Sequence, residues 1–209
     1  PDVSAFITIT DISSNIIING LNTFAKGLKY RGLYNKFYAI YPFVGGNSIS
    51  HQFNLVNCAS TEAAYRLTFP FDASHSSLGC DWNGTTQYAD THLVPETDMS
   101  INDTAMMVYI GDSVTNLTMR DIGCNGNVGT KLFYTNTRDT LGRIRAYMYA
   151  DSGSGRSTNG LAATSQGFTI VSRTTDLALK ATKNGLQVDF PNIGSAGTLP
   201  GCSVFIGAN

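Results

Sequence analysis

The sequence is poor in charged residues and has no long apolar run. Only 14% of its 209 residues are charged, and the formal net charge at pH 7 is −1. Proteins that bind DNA or RNA usually carry a basic stripe, so this composition argues against a nucleic-acid partner. No stretch of about 18 apolar residues occurs, which argues against insertion into a membrane. The first residues also lack the basic and apolar segments of a signal peptide.

The residues that usually carry catalysis are few and scattered. Glu62 and Glu96 are the only glutamates, and neither belongs to an alternating acid pair of the kind glycosidases place on a strand. His51, His75 and His92 lack the HxH and HExxH spacings of zinc sites. No GxSxG motif precedes a helix, so a serine hydrolase is not indicated. We therefore predict that the protein is not an enzyme and has no catalytic residues.

Metals and cofactors are also weakly indicated. The cysteines form no CxxC pair, so free thiols are expected and not a metal site or a disulfide framework: they are Cys58, Cys80, Cys124 and Cys202. We predict no cofactor. Ca²⁺ stays open as a ligand, because loop aspartates and carbonyl oxygens can hold it, and three aspartates lie near one another in sequence: Asp81, Asp90 and Asp98.

The residues that are abundant favour short strands joined by turns. The chain contains 21 glycines, and Ser, Thr and Asn are frequent. The clearest pattern is a three-stranded meander at residues 167–188, where Asn184-Gly185 supplies a pair suited to a tight hairpin turn. We predict strands at residues 168–172, 177–181 and 186–188, with the first turn at residues 173–176.

Other periodic segments extend this pattern over the chain. Helical spacing of apolar residues predicts one helix, which begins at Ser13 or Ser14 and ends at Gly32. Alternating or β-branched runs predict further strands at residues 35–41, 51–55, 65–69, 105–110, 131–134, 144–149 and 202–207. With roughly nine to twelve short strands, the expected fold is all-β: a two-sheet β-sandwich of jelly-roll type with one N-terminal helix.

The longest segment without clear periodicity, residues 70–98, is the expected binding region. Long ordered loops on β scaffolds often bind ligands. Sugars are bound by aromatic faces together with amide and carboxylate groups, and this segment offers both: Asp81, Trp82, Asn83, Tyr88 and Asp90. These five residues are the predicted glycan-binding set. The alternative is that Trp82 is packed against the edge of the sheet and binds nothing.

Several motifs together resemble one family. They are FYAIYPFVGG at residues 37–46, HQFNL at 51–55, AAYRLTF at 63–69, the His75-Ser76-Ser77-Leu78-Gly79 element, Asn83-Gly84-Thr85, Tyr88-Ala89-Asp90-Thr91, the meander, and the strand at 205–209. The chain from about residue 12 onward resembles the concanavalin A-like, or laminin-G-like, domain of structural proteins in tailed-bacteriophage virions.

The resemblance implies a domain organisation. Residues 1–11 are expected to be an N-terminal extension, and residues 12–209 the concanavalin A-like sandwich. In this family the strand at 205–209 is normally followed by further strands, so the sandwich is expected to lack its last strands. The family implies no catalytic residues.

The resemblance also implies a place of action. We expect a structural protein of the virion, in a head fibre, a tail fibre or the capsid surface, that binds host-surface glycans during adsorption. Its expected partners are other virion proteins, copies of itself and bacterial surface polysaccharide. Two alternatives stay open: an assembly or decoration protein without a glycan ligand and, less favoured, a glycan-degrading enzyme.

Overall fold

Strands in antiparallel sheets outnumber helices in this protein. The computed structural model describes residues 3–113, 120–126, 131–150, 156–157, 162–191, 194 and 197–207. These residues form three antiparallel sheets and few helices. The chain divides into two compact units, Pro1–Asn83 and Gly84–Asn209. The predicted predominance of β-sheet is therefore confirmed at this coarse level.

The first unit combines three helices with one small sheet. The helices are α1 (Ser4–Thr10), α2 (Asn15–Tyr30) and α3 (Ser48–His51). The sheet is an antiparallel pair, β1 (Ser74–Ser76) and β2 (Gly79–Asp81). A buried apolar cluster draws on α1, α2 and the segment after α3, and it consists of Val3, Phe6, Ile12, Leu21, Ala25, Phe53 and Leu55.

Helix α2 confirms the one helix predicted from the sequence. Ser14 is its N-cap residue, Lys29 lies in its last turn, and Gly32 has a φ of 68° just beyond its end. Leu21 and Ala25 are its buried residues, which is the inward face expected from the apolar spacing. Helix α2 therefore packs into its own unit through the face that the sequence pattern indicated.

The strands predicted at residues 35–41, 51–55 and 65–69 are wrong. A 3₁₀ turn occupies Tyr34–Lys36, α3 ends at His51, and a second 3₁₀ turn occupies Glu62–Ala64. The apolar alternation in these segments does reflect burial, since Phe53, Leu55 and Leu67 are buried. These apolar side chains are thus buried without a ladder of strand hydrogen bonds.

The side chain of Asn54 makes hydrogen bonds to the backbone where a strand ladder was expected. Asn54 is 0% exposed. Its Oδ1 accepts hydrogen bonds from the backbone N–H groups of Ile40 and Val56, each at 3.0 Å. Its Nδ2 donates to the carbonyl oxygens of Tyr38 at 3.0 Å and Ala64 at 3.1 Å. The amide of Asn54 therefore fastens three separate backbone segments to one another.

The second unit contains two larger sheets, the first of which has four strands. Its members are β4 (Thr104–Ile110), β9 (Gly167–Thr175), β10 (Ala178–Lys183) and β11 (Leu186–Pro191), in the order β11-β10-β9-β4. The strand predicted at 105–110 and the predicted meander are both confirmed. Asn184 and Gly185 have φ values of 49° and 86°, as a tight hairpin turn requires. The first turn lies later than predicted, because β9 continues to Thr175.

The other sheet of the second unit has six strands. They are β3 (Ala89–Asp90), β5 (Ile122–Asn125), β6 (Leu132–Asn136), β7 (Arg145–Ala150), β8 (Arg156–Ser157) and β12 (Phe205–Ile206), in the order β3-β12-β5-β6-β7-β8. A short helix, α4 (Pro95–Asp98), follows β3. The strands predicted at 131–134 and 144–149 are confirmed. The strand predicted at 202–207 is reduced to β12.

Side chains of the two larger sheets contact each other in the interior of the second unit. The hydroxyl of Tyr149 in β7 lies 3.3 Å from Thr104 Oγ1 in β4. Arg173 in β9 is 0% exposed, and its Nε donates to the Met148 carbonyl oxygen at 2.9 Å. Within the six-stranded sheet, the Tyr149 ring also stacks on the Phe133 ring of β6 at 5.0 Å. These contacts are compatible with a two-sheet sandwich. Among the described helices, none is both long and apolar enough to cross a lipid bilayer.

Candidate functional site

A pair of histidines forms the most unusual polar contact of the first unit. His51 ends α3, and His75 is the central residue of β1. Their Nδ1 atoms lie 2.9 Å apart, and His51 is 0% exposed. One ring must donate its Nδ1–H to the bare Nδ1 of the other, so the contact requires at least one neutral histidine. Whichever ring donates, His51 Nε2 is buried without a hydrogen-bond partner among the described residues.

Burial keeps this pair neutral. Burial, with a smaller contribution from the neighbouring His75, lowers the pKa of His51 to about 4. Burial also lowers the pKa of His75, and the charge of Asp72 opposes that shift. Protonation of His51 would place a positive charge in the interior, where burial disfavours the charged form. Both rings are therefore neutral at pH 7, and the pair acts as a hydrogen-bonded unit.

Helix α3 is held in position by its own cap. Asn47 precedes the helix, and its Oδ1 accepts a hydrogen bond from Ser50 N–H at 2.8 Å. A cap of this kind satisfies one of the backbone donors left free at a helix start. The backbone of Gly45 passes so close to the Ser50 side chain that a Cβ at that position would collide with it. The cap and this close approach together fix His51 in the interior.

An open groove of about 410 Å³ runs beside His75. Two charged side chains of opposite sign line it, Arg66 and Asp72, together with the Gln52 amide and the Phe69 ring. Arg66 Nε is buried and has no hydrogen-bond partner among the described residues. The remaining lining residues are Ser48, Ile49, Leu67, Thr68, Ala73 and His75. The residues that line the groove thus carry a cation, a carboxylate, an amide, hydroxyl groups and an aromatic ring.

A continuous row of aromatic rings connects the groove to Trp82. The His75 and Phe69 rings meet edge to face at 4.7 Å, and the Phe69 and Trp82 rings stack at 6.2 Å with an interplanar angle of 27°. On the other side, the Phe43 ring meets the His51 ring edge to face at 5.5 Å. Trp82 is half-buried by this packing. It therefore supports Phe69 and does not stand alone as an exposed platform.

The five predicted glycan-binding residues are divided between the two units. Asp81 and Asn83 are exposed and flank Trp82 at the end of the first unit. Tyr88 and Asp90 belong to the second unit, where the Tyr88 ring packs edge to face on Phe205 at 5.0 Å.

The carboxylates considered for Ca²⁺ have local roles. Asp90 Oδ1 accepts a hydrogen bond from His92 N–H at 2.8 Å. Asp98 Oδ2 accepts one from Val94 N–H at 2.7 Å. Asp81 is exposed, and its backbone pairs with Ser74 at the end of β2. Within the described ranges, no three His, Cys, Asp or Glu residues are grouped so that they could hold a metal ion.

Sequence patterns did not reveal the histidine pair or the groove. His51 and His75 are far apart in the chain, and His51 lies in a segment predicted as a strand. A strand would have placed alternate residues of 51–55 on opposite faces, but α3 turns His51 toward β1 instead. The available signal was the combination of Asn47, which can cap a helix, with the two glycines before it.

Comparisons with protein families, curated proteins and solved structures gave no match for this chain.

Proposed function

We propose that this protein is a structural component of a tailed-phage virion that binds host-surface polysaccharide through the groove of its first unit. The virion assignment rests on the motif resemblance, with a concanavalin A-like sandwich of jelly-roll type as the proposed architecture. The antiparallel sheets and their internal contacts are compatible with that architecture. The expected site of action is the particle surface, and the expected partners are other virion proteins and further copies of the chain.

The composition of the groove is the observation that supports a sugar ligand. Pyranose rings present hydroxyl pairs that planar amide, carboxylate and guanidinium groups bind, and they present C–H faces that pack on aromatic rings. Gln52, Arg66, Asp72 and Phe69 supply all four groups along one groove. The predicted residues Asp81, Trp82 and Asn83 take a supporting part in this proposal, because Trp82 packs on Phe69. Binding by a single copy is expected to be weak and to be strengthened by display of many copies.

A binding assay with the full chain tests the sugar ligand. The chain is immobilised at high density and exposed to purified bacterial surface polysaccharides. Asp72→Ala is expected to weaken binding about tenfold or more, because a hydrogen bond to a charged group contributes about 1.5–3 kcal/mol. Asp103→Ala is the matched control, since it removes the same charge from an exposed position in the second unit. Equal losses in both variants, or no binding at high density, would refute the groove as a glycan site.

Assembly without a glycan ligand is the second candidate, and one observation favours it. The outer face of the four-stranded sheet carries an apolar patch on β4 and β9, with Met107 at 37%, Tyr109 at 67% and Phe168 at 43% exposure. Tyr109 and Phe168 lie opposite each other on neighbouring strands. Exposed apolar patches of this kind often mark protein–protein contacts.

Electron microscopy of intact particles labelled with an antibody to the chain tests the virion assignment for both candidates. Release of reducing sugar from a bound polysaccharide would instead support a glycan-degrading enzyme.

A further inference from the structure

Two of the four cysteines meet in the second unit although they are far apart in the sequence. Cys124 lies in β5, and Cys202 lies shortly before β12, the strand that pairs with β5. The Cys202 thiol lies near enough to Cys124 to help raise the pKa of the Cys124 thiol. Cys202 Sγ also lies 3.1 Å from the carbonyl oxygen of Asn125, the residue after Cys124.

We propose that Cys124 and Cys202 are a redox pair that forms a disulfide in an oxidising medium and fastens the segment before β12 to β5. The local structure shows which pairing such a bond would stabilise. Strand β12 has only two residues, and it pairs with β5 only through Phe205 with Gly123 and Ile206 with Ile122. A covalent link would reinforce this short pairing. This proposal does not depend on the function proposed above.

The oxidant is a low-molecular-weight disulfide such as oxidised glutathione. The thiolate of Cys202 attacks one sulfur of the oxidant, which forms a mixed disulfide and releases one glutathione thiolate. Cys124 then loses its proton and attacks the Cys202 sulfur, which releases the second glutathione thiolate. The protein loses two electrons and two protons, and the oxidant becomes two molecules of reduced glutathione.

The order of the two attacks follows from exposure. Cys202 is half-buried, whereas Cys124 is only 3% exposed. Burial raises the pKa of Cys124, and the Cys202 thiol raises it further. A buried thiol with a raised pKa is a poor first nucleophile toward a soluble oxidant. Cys202 therefore reacts first, and Cys124 resolves the mixed disulfide from within the protein.

The other two cysteines serve as internal controls. Cys58 Sγ has a carbonyl oxygen as its contact, that of Leu55 at 3.8 Å. Cys80 lies opposite His75 in the β1–β2 pair, and burial raises its pKa to about 12. All four cysteines are free thiols in this structure. The proposal therefore predicts that Cys58 and Cys80 stay reduced under conditions that link Cys124 to Cys202.

Peptide mapping of the full, folded chain tests the proposal. The protein is equilibrated with mixtures of reduced and oxidised glutathione, alkylated, denatured and digested with trypsin. Each cysteine falls in a separate tryptic peptide, namely residues 37–66, 67–120, 121–131 and 184–209. The expected result is a link between peptides 121–131 and 184–209 and a loss of about 2 Da from the chain, as two hydrogens leave. Full alkylation of all four cysteines, or glutathione adducts without this link, would overturn the proposal.

Variants separate the link from general thiol oxidation. The double variant Cys58→Ser, Cys80→Ser is expected to form the link as the wild type does, and Cys202→Ser is expected to form none. Closing a long loop should raise the midpoint of thermal unfolding of the second unit by about 5–10 °C, reversibly with dithiothreitol, in the wild type but not in Cys202→Ser. A linked protein with an unchanged midpoint would refute the fastening role. The mapping of the wild type needs no variant, so a variant that fails to fold leaves that result intact.

Discussion

The two compact units satisfy their backbone hydrogen-bonding groups in different ways. In the second unit, strand ladders pair the backbone over the four-stranded and six-stranded sheets. In the first unit, a single side chain, Asn54, joins three segments through four hydrogen bonds to the backbone. A ladder spreads its bonds over many residues, whereas a side-chain junction concentrates them in one. A substitution of Asn54 is therefore expected to destabilise the first unit far more than a single substitution in a strand destabilises the second.

Buried charges differ between the units as well. In the second unit, Lys183 is 4% exposed, and its Nζ donates to the carbonyl oxygens of Ser165 at 2.7 Å and Thr137 at 3.3 Å. Asp139 accepts hydrogen bonds from Arg143 at 2.8 Å and Arg145 at 3.0 Å. In the first unit, the buried titratable pair of histidines is neutral instead. The two units should therefore respond to acid over different ranges of pH.

Asn54→Ala is expected to have the largest effect. It leaves four backbone groups without their partners, one of them buried and three partly buried, and each unpaired group costs about 1 kcal/mol or more. The free energy of unfolding of the first unit should fall by about 4 kcal/mol or more, a large part of the total for an ordinary domain. Hydrogen exchange measures this as lost protection of the amides of Ile40 and Val56.

Asn57→Ala is the matched control for that substitution. Asn57 is exposed, and its Oδ1 accepts one hydrogen bond, from Ala59 N–H at 3.2 Å. A surface change of this kind should alter stability by less than about 0.5 kcal/mol. If Asn54→Ala lowered stability as little as Asn57→Ala, the first unit would not depend on the hydrogen bonds of the Asn54 side chain, and the proposed difference from the strand ladders of the second unit would be wrong.

The next effect concerns acid. The folded pKa of His51, about 4, lies below the unfolded value of about 6.5, so folding disfavours its protonated form. The contribution of His51 to stability is complete above pH 6.5 and is lost as the pH falls toward 4; His75 faces His51, and Asp72 acts in turn on His75. His51→Phe should remove this loss. The fluorescence of Trp82, the single tryptophan, reports on the first unit because its ring packs on Phe69.

Asp139 provides the contrasting titration in the second unit. Burial alone would raise the pKa of this carboxyl, but hydrogen bonds from Arg143, Arg145 and the Leu141 amide lower it well below its usual range. Its contribution is therefore present above the unfolded pKa of about 3.9 and is lost only at lower pH. Asp139→Asn should leave the transition of Trp82 between pH 6.5 and 4 unchanged. If Asp139→Asn shifted that transition and His51→Phe did not, His51 would not be the group whose protonation destabilises the first unit.

The smallest effect is expected at a surface ion pair of the second unit. Lys180 Nζ lies 3.8 Å from Asp189 Oδ1, and both side chains are exposed. Exposed pairs contribute little, because water and salt screen them. Lys180→Ala should therefore change the free energy of unfolding, measured in urea, by less than about 0.5 kcal/mol. A loss of several kcal/mol would mean that this sheet also depends on single side chains.

Sequence patterns predicted the second unit well because its alternation comes from strands. Residues 105–110, 144–149 and the meander alternate because a sheet buries every second side chain, and Asn184-Gly185 marks its turn directly. The same rule failed at residues 51–55. There, a polar residue at an outward position of a supposed strand, Asn54, is in fact the most completely hydrogen-bonded buried side chain of its unit.

Helix α1 was missed for a related reason. Its sequence, Ser4–Thr10, ends in four consecutive β-branched residues, at 7–10, which weaken a helix. Thr10 Oγ1 donates to the Phe6 carbonyl oxygen at 2.6 Å, and Phe6 is buried at 1% exposure. Burial of Phe6 outweighs the local preference.

The groove could not be predicted either, since Arg66, Asp72 and His75 meet only after α3 and β1 take positions that no local pattern specifies.

The place of β12 in its sheet constrains the order in which the protein can be made. Strand β12 lies between β3 and β5, so residues close to opposite ends of the second unit's sequence become neighbours. A ribosome releases β3 long before β12, and β3 has no other strand partner in the described sheet. The six-stranded sheet therefore closes only after β12 has left the ribosome. Until then, its unpaired edge must be kept from neighbouring nascent chains, so synthesis of the β12 segment is decisive for the yield of folded protein.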